Sequence, residues 1–288
     1  MSDASQRAPW AIAAERPEDL AAALADGRIR RGAQGWNAQL ADGTDVAFTR
    51  LYVAEEFCAQ LILKPAEMRA FATLAAEAGV PMTLATPPVT DAELAELRPL
   101  LAILAETPDP EVVCNDWGTL RLVSREFPGV GRVLGRVLRR QLKDPRAEGR
   151  ESTATMPAAY ADLLVRLGVG LISADRLPDG PSALPLALHV PYEFVTSGRM
   201  CAVSGIPFPE PKKFLSDFSC PKPCRDFSLR LHDPSVAQPM WQKGNTLYAE
   251  NGGVATIAGG LGRVARFVYD LSTDRGGILL AQRAEVTS

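Results

Sequence analysis

Asp45-Val-Ala-Phe-Thr-Arg-Leu-Tyr52, Lys64-Pro-Ala-Glu-Met-Arg-Ala-Phe-Ala-Thr-Leu-Ala-Ala-Glu-Ala-Gly79 and Pro81-Met-Thr-Leu-Ala85 together decide the fold. The first piece reads as a buried strand. In the second, Met68, Phe71, Ala72, Ala75 and Ala78 recur at helical spacing until Gly79 stops them. The third is the next strand. A strand, a crossover helix and a strand make a β/α unit with parallel pairing.

The same grammar continues outward. Thr90-Asp91-Ala92-Glu93 has the form of a capping box, with Thr90 able to cap and Glu93 able to reach back. It opens a helix through Leu94, Leu97, Leu101 and Leu104 that Pro108 and Pro110 end. Glu111 to Cys114 is a short strand, followed by Asn115-Asp116-Trp117-Gly118 and a short helix from Thr119 to Phe127. Val130 to Leu138 reads as one strand, and Lys143 to Thr155 as a polar surface loop. A helix from Pro157 to Leu167 is closed by Gly168, and Val169 to Ser173 is another strand. Residues 254 to 271 carry Val254, Ile257, Leu261, Val264, Val268 and Leu271, which predicts one core-facing helix. About seven such repeats suit a closed parallel β/α barrel of the TIM type better than an open sheet, a choice that periodicity does not settle.

Composition sets the class. The chain has 288 residues, 47% hydrophobic and 23% charged, which excludes fibrous and disordered classes. Thirty-one basic against 34 acidic side chains leave a formal charge of -3, so no global positive field holds a polyanion. Met1 to Trp10 lacks the apolar core of a signal peptide, and no stretch reaches the ~18 apolar residues of a membrane helix. The expectation is a soluble cytoplasmic protein. It is read as one domain overall, residues 1–44 holding an N-terminal segment and the first β/α elements and 45–288 the barrel. That barrel carries an irregular Cys-rich segment at 191–239, rich in Pro, Lys and Ser.

The chemistry is sought among five cysteines, an odd number in a chain expected to stay in a reducing compartment, where thiols remain free. Cys220-Pro-Lys-Pro-Cys224 sets two thiols on a proline-stiffened turn, with Cys201 upstream. Soft thiolates at short, rigid spacing suit zinc or an iron-sulfur centre. The fourth ligand is Cys58 or Cys114, both near strand ends that share one rim in a barrel. Cys114, inside Val112-Val113-Cys114, reads as a small hydrophobe in a strand, whereas Cys58 follows Glu55-Glu56-Phe57 on a loop. His189 and His232, the two histidines, are alternative zinc ligands, although an isolated His is more often satisfied by a hydrogen bond.

The order of Val112-Val-Cys-Asn-Asp-Trp-Gly-Thr-Leu120, Gly135-Arg-Val-Leu138, Asp144-Pro-Arg146, Ser197-Gly-Arg-Met-Cys-Ala-Val-Ser204 and Cys220 to Arg225 resembles the collagenase-like peptidase U32 superfamily over roughly residues 45–270. Its UbiU- and UbiV-type members imply a 4Fe-4S protein of oxygen-independent ubiquinone biosynthesis. Carried over, that pattern puts the cluster on Cys58, Cys201, Cys220 and Cys224, with no ligand role for Cys114. It also implies a heterodimer with a UbiU-like family member and a small quinone precursor as substrate. The stretch from Cys201 to Cys220 is long for that pattern.

Rival readings are a structural zinc protein whose barrel binds a partner, an RNA-base hydroxylation factor, which the acidic balance disfavours, and a peptidase. The last lacks H-E-x-x-H and G-x-S-x-G motifs. Arg199 beside Cys201 is a candidate hydrogen-bond donor to the cluster, and Asp116 a candidate orienting group or simply a cap. Arg132, Arg136, Arg139 and Arg140 with Lys143 and Arg146 read as a solvated basic face.

Overall fold

The computed structural model describes residues 8–140, 156–178, 181–205, 220–231, 240–251 and 254–273. Its strands in chain order are β1 (Trp10–Ala14), β2 (Arg30–Arg31), β3 (Trp36–Gln39), β4 (Asp45–Val53), β5 (Met82–Ala85), β6 (Glu111–Cys114) and β7 (Gly131–Leu134). There follow β8 (Val169–Ala174), β9 (Leu186–Val190), β10 (Tyr192–Ser197), β11 (Leu229–Leu231), β12 (Met240–Lys243), β13 (Thr246–Glu250) and β14 (Arg266–Asp270). The helices are α1 (Pro17–Ala25), α2 (Pro65–Ala78), α3 (Asp91–Ala105), α4 (Trp117–Glu126), α5 (Arg136–Arg140), α6 (Ala158–Arg166), α7 (Ala202–Gly205) and α8 (Val254–Gly260).

Strands β4 to β9 pair in sequence order and in parallel, β14 joins β9, and β1 pairs with both β14 and β4. The result is a closed barrel of eight parallel strands with flanking helices. Hairpin β2–β3 pairs antiparallel with the first half of β4 and leaves its second half to β5. The opening helices form as their caps dictate. Thr90 accepts from Glu93 N while Glu93 returns a carboxylate to Thr90 N, and α2 stops where Gly79 takes φ 65.

Alternation along each strand separates two cores. Leu51, Leu84, Val112, Leu134, Ile172 and Leu188 point outward to the helices. Inside, Ala11, Tyr52, Ala85, Val113, Val133, Leu171, Ala187 and Val268 fill the middle layer. Below them Glu111 receives both Arg266 terminal nitrogens, at 2.7 and 2.9 Å, and the Thr83 hydroxyl at 3.0 Å. Arg50 stands 3.4 Å away and also pairs with Asp109. Burial opposes the charged form of Glu111, but the Arg266 and Arg50 guanidiniums hold its carboxyl below the usual range. Paired charge closes this end, leaving the C-terminal mouth for a site.

Three expectations fail here. Val130–Leu138 is not one strand: β7 stops at Leu134 and α5 begins at Arg136. The turn needs Gly135, where a Cβ would come within 2.2 Å of Asn115 Oδ1. Residues 254–271 are not one helix either. Gly259 and Gly260 end α8, Gly262 takes φ 73, and the alternating Arg266-Phe-Val-Tyr-Asp270 becomes the strand that closes the barrel. Finally, the 191–239 segment is not wholly irregular. Strands β10 and β11 belong to a four-stranded antiparallel sheet, ordered β10-β13-β12-β11. This sheet docks at the mouth through Phe194 and Tyr248, which pack on Phe57 at ring distances of 4.4 and 6.0 Å.

The expected loop 143–155 and His232 lie outside the described residues. Among the described residues, no helix is long and apolar enough to cross a membrane.

Candidate functional site

Each barrel strand delivers its following residues to the same rim, and two adjoining features result. The first is a thiol cluster. Cys58 starts the single turn Ala59–Leu61 just after β4, and its amide donates to the Glu55 carboxylate. Cys201 precedes α7, and Ser204 of that short helix returns its amide to Cys201 Sγ at 3.3 Å. The Ser204 hydroxyl also stands 3.1 Å from Cys220 Sγ, so one serine bridges two cysteines distant in sequence.

The Pro221-Lys222-Pro223 link does more than stiffen. Lys222 adopts φ 58, a left-handed conformation uncommon for a non-glycine residue, and its amide thereby donates to Cys220 Sγ at 3.3 Å. Cys224 follows, buried in the turn Pro223–Arg225. Against it lies the β12–β13 hairpin: a Cβ at Gly244 would stand 3.3 Å from Cys224 Sγ. The next residue, Asn245, donates to Phe57 O at 3.0 Å and to Gly198 O at 2.6 Å. One hairpin thus ties the Cys58, Cys201 and Cys224 segments together.

The thiols sense one another. Burial pushes the Cys58 thiol up, followed by the Glu55 charge and those of Cys224 and Cys220. Cys201 is raised by burial and then by Cys220. Cys224 is pushed up to about 11 by burial, by Glu15 and Glu55, and by Cys201. Cys114 stands apart, fully buried in β6, its thiol raised by burial and by Asp116. Ser204, Gly244 and Asn245 thus bring the segments of Cys58, Cys201, Cys220 and Cys224 to one side of the rim, whereas Cys114 lies within the strand layer.

Among the described residues no three His, Cys, Asp or Glu side chains are grouped closely enough for one metal ion. Four thiolates around one zinc, at Zn–S of about 2.3 Å, sit within about 4 Å of one another. Ligands at the corners of an iron-sulfur cluster stand farther apart. Amide N–H donors aimed at ligand sulfurs are also the contacts that tune such clusters.

Arg199 does not join the group. It is exposed and reaches Glu93 at 3.4 Å. Asp116 caps α4, accepting from Thr119 N at 2.7 Å.

The second feature is a small recess of about 20 Å³, open to solvent, at the centre of the mouth. Its walls include Glu15, Tyr52, Glu55, Glu56, Phe57, Arg136, His189, Tyr248 and Asp270. Glu55 and Phe57 connect it to Cys58. Arg136, expected on a solvated basic face, is instead buried at 5% exposure and held by Glu56 at 2.6 Å and Asp175 at 2.9 Å. Burial alone would lower its pKa, but these two carboxylates raise it well above the ordinary value. Asn115 locks this network, donating to Glu56 and Thr86 O and accepting from Val137 N.

Lys243 pairs with Glu15. Glu55 accepts from Phe57 N at 2.7 Å, yet burial, and then Glu15, push its carboxyl up to about 8. No sequence motif announced these groups. Only Glu55 carried a sequence signal, its position shortly after the predicted strand Asp45 to Tyr52.

His189 lies in β9 with its ring edge-on to Tyr52 at 6.1 Å. It is 3% exposed, and Nε2 has no hydrogen-bond partner among the described residues. Burial, then the Arg136 charge, hold its pKa well below the ordinary value, against an opposing pull from Asp270. Folded His189 therefore stays neutral where the unfolded chain takes up a proton. The stability this gives is present above about pH 6.5 and falls on acidification by about 1.4 kcal/mol per pH unit. His189→Phe should remove that component. Urea denaturation at pH 5, 6 and 7 measures it, and equal acid slopes in both proteins would refute it.

No protein-family model, no curated protein and no solved structure matches this chain.

Proposed function

We propose that this chain is an iron-sulfur protein carrying one 4Fe-4S cluster on Cys58, Cys201, Cys220 and Cys224, and that it serves an oxygen-independent hydroxylation of the kind its resemblance implies. The observation that supports the reading is that Ser204 contacts both Cys201 and Cys220, and that Asn245 ties the segments of Cys58 and Cys201 together at the barrel mouth. When bound, the cluster supplies one-electron redox chemistry. The chain's own residues shape the rest: Glu55, Glu56 and Phe57 line the recess at the mouth and lead directly into Cys58, so the recess adjoins the segment that would hold the cluster. Pairing with a second, UbiU-like family member belongs to the same proposal.

Anaerobic purification followed by iron, sulfide and zinc analysis tests it. About four iron per chain and a broad absorption band near roughly 400 nm are expected of a thiolate-bound cluster. A colourless protein with about one zinc would replace this reading with the structural one, and a metal-free protein would overturn both.

A further inference from the structure

The donors around the thiols are of two kinds. The amides of Ser204 and Lys222 stand 3.3 Å from Cys201 Sγ and from Cys220 Sγ, and any residue but proline would supply an amide at either place. The Ser204 hydroxyl, 3.1 Å from Cys220 Sγ, comes from the side chain. Ser204 is 1% exposed, and a hydroxyl buried so deeply costs stability unless it is hydrogen-bonded. The short helix α7 would form as well with alanine, the better helix former, so the contact with sulfur is what the serine adds.

The direction of that bond follows from the chemistry of the sulfur. With Cys220 as a free thiol, either partner can donate. A ligand thiolate carries no proton and only accepts, so the rotating serine hydroxyl turns to donate. A hydrogen bond to a charged acceptor is stronger than one between neutral groups, and exclusion of water strengthens it further. One-electron reduction puts more negative charge on a cluster and its sulfurs, so a donor aimed at a ligand sulfur stabilises the reduced form more than the oxidised one. Arg199, two residues before Cys201, reaches Glu93 instead.

We propose that the Ser204 hydroxyl donates to Cys220 Sγ in the cluster-bound protein and raises the reduction potential of the cluster, which makes Ser204 the tuning residue of this centre. The proposal rests on the iron-sulfur reading above.

The test is a potentiometric titration of the full-length, anaerobically purified protein, with the reduced cluster followed by electron paramagnetic resonance and iron and sulfide measured on every sample. Ser204→Ala is expected to keep the iron and sulfide of the unaltered protein and to shift the one-electron reduction equilibrium about tenfold towards the oxidised form, a fall of about 59 mV. Ser204→Thr, which retains a hydroxyl, should return most of that fall. Val203→Ala trims a buried apolar neighbour in α7 while keeping Ser204, and should leave the potential unchanged. An unchanged or higher potential in Ser204→Ala, loss of its iron, or an equal fall in Ser204→Thr or Val203→Ala would each overturn the tuning role. An unaltered protein without iron would instead overturn the redox reading, and the tuning role with it.

Discussion

In a Cys58→Ala variant purified without air, iron and acid-labile sulfide should both fall to background, while Cys114→Ala should keep the full content of the unaltered protein. Cys201→Ala, Cys220→Ala and Cys224→Ala should behave as Cys58→Ala does. The contrast follows from placement. Cys58 opens a turn at the rim, whereas Cys114 is sealed in the strand layer among apolar side chains. Alanine is the right replacement, because serine retains an oxygen donor. Folding of Cys58→Ala should survive, since the residue is only partly buried and its amide bond to Glu55 does not involve the side chain. Cys114→Ala instead leaves a small cavity in the core, at a cost of about 1 kcal/mol. Full cluster content in Cys58→Ala together with loss in Cys114→Ala would exchange their roles, and retention in all five variants would remove the thiols as ligands.

The second large effect concerns Arg136. Replacing it with Met leaves Glu56 and Asp175 facing each other's charge without their cation, in a site where Glu56 is 7% exposed. Breaking a buried pair from one side costs about 3–5 kcal/mol. The mouth should loosen as well, because the guanidinium lies 4.8 Å above the Phe57 ring that adjoins Cys58. The triple variant Arg136→Met, Glu56→Gln, Asp175→Asn removes the stranded charges and should regain most of the loss. Urea denaturation of the three proteins decides it. A single variant within about 1 kcal/mol of the unaltered protein, the worth of an exposed pair, would mean that the network is solvated and contributes little.

This network also marks the limit of what sequence reading reached. Arg136 lies in a run of arginines, and a run of like charge reads as solvated surface. Gly135 reverses that by turning the chain directly after β7, so that Arg136 begins a helix at the rim and points into the mouth. The same kind of local break hid β14. The apolar residues from Val254 to Leu271 fit a helical stripe on paper, but the glycines at 259, 260 and 262 interrupt it, and the hydrogen bonds offered by β1 and β9 recruit the remainder as a strand. Periodicity records the order of side chains and is silent about which neighbouring backbone is available to pair with.

The sequence by itself determined the repeating β/α grammar with its parallel pairing, the capped and glycine-terminated helices, and Cys201, Cys220 and Cys224 as cysteines worth singling out. Each depends on contacts within a few residues, and local chemistry encodes those directly. Only the tertiary structure decided that the strands close into a barrel, that the segments of Cys201, Cys220 and Cys224 lie near that of Cys58 while Cys114 is sealed in a strand, and that Arg136 is a buried ion-pair centre. Those features join the loops after β4 and β7 and the β12–β13 hairpin. Closure of the barrel brings such distant segments to one rim, and no local spacing specifies that convergence.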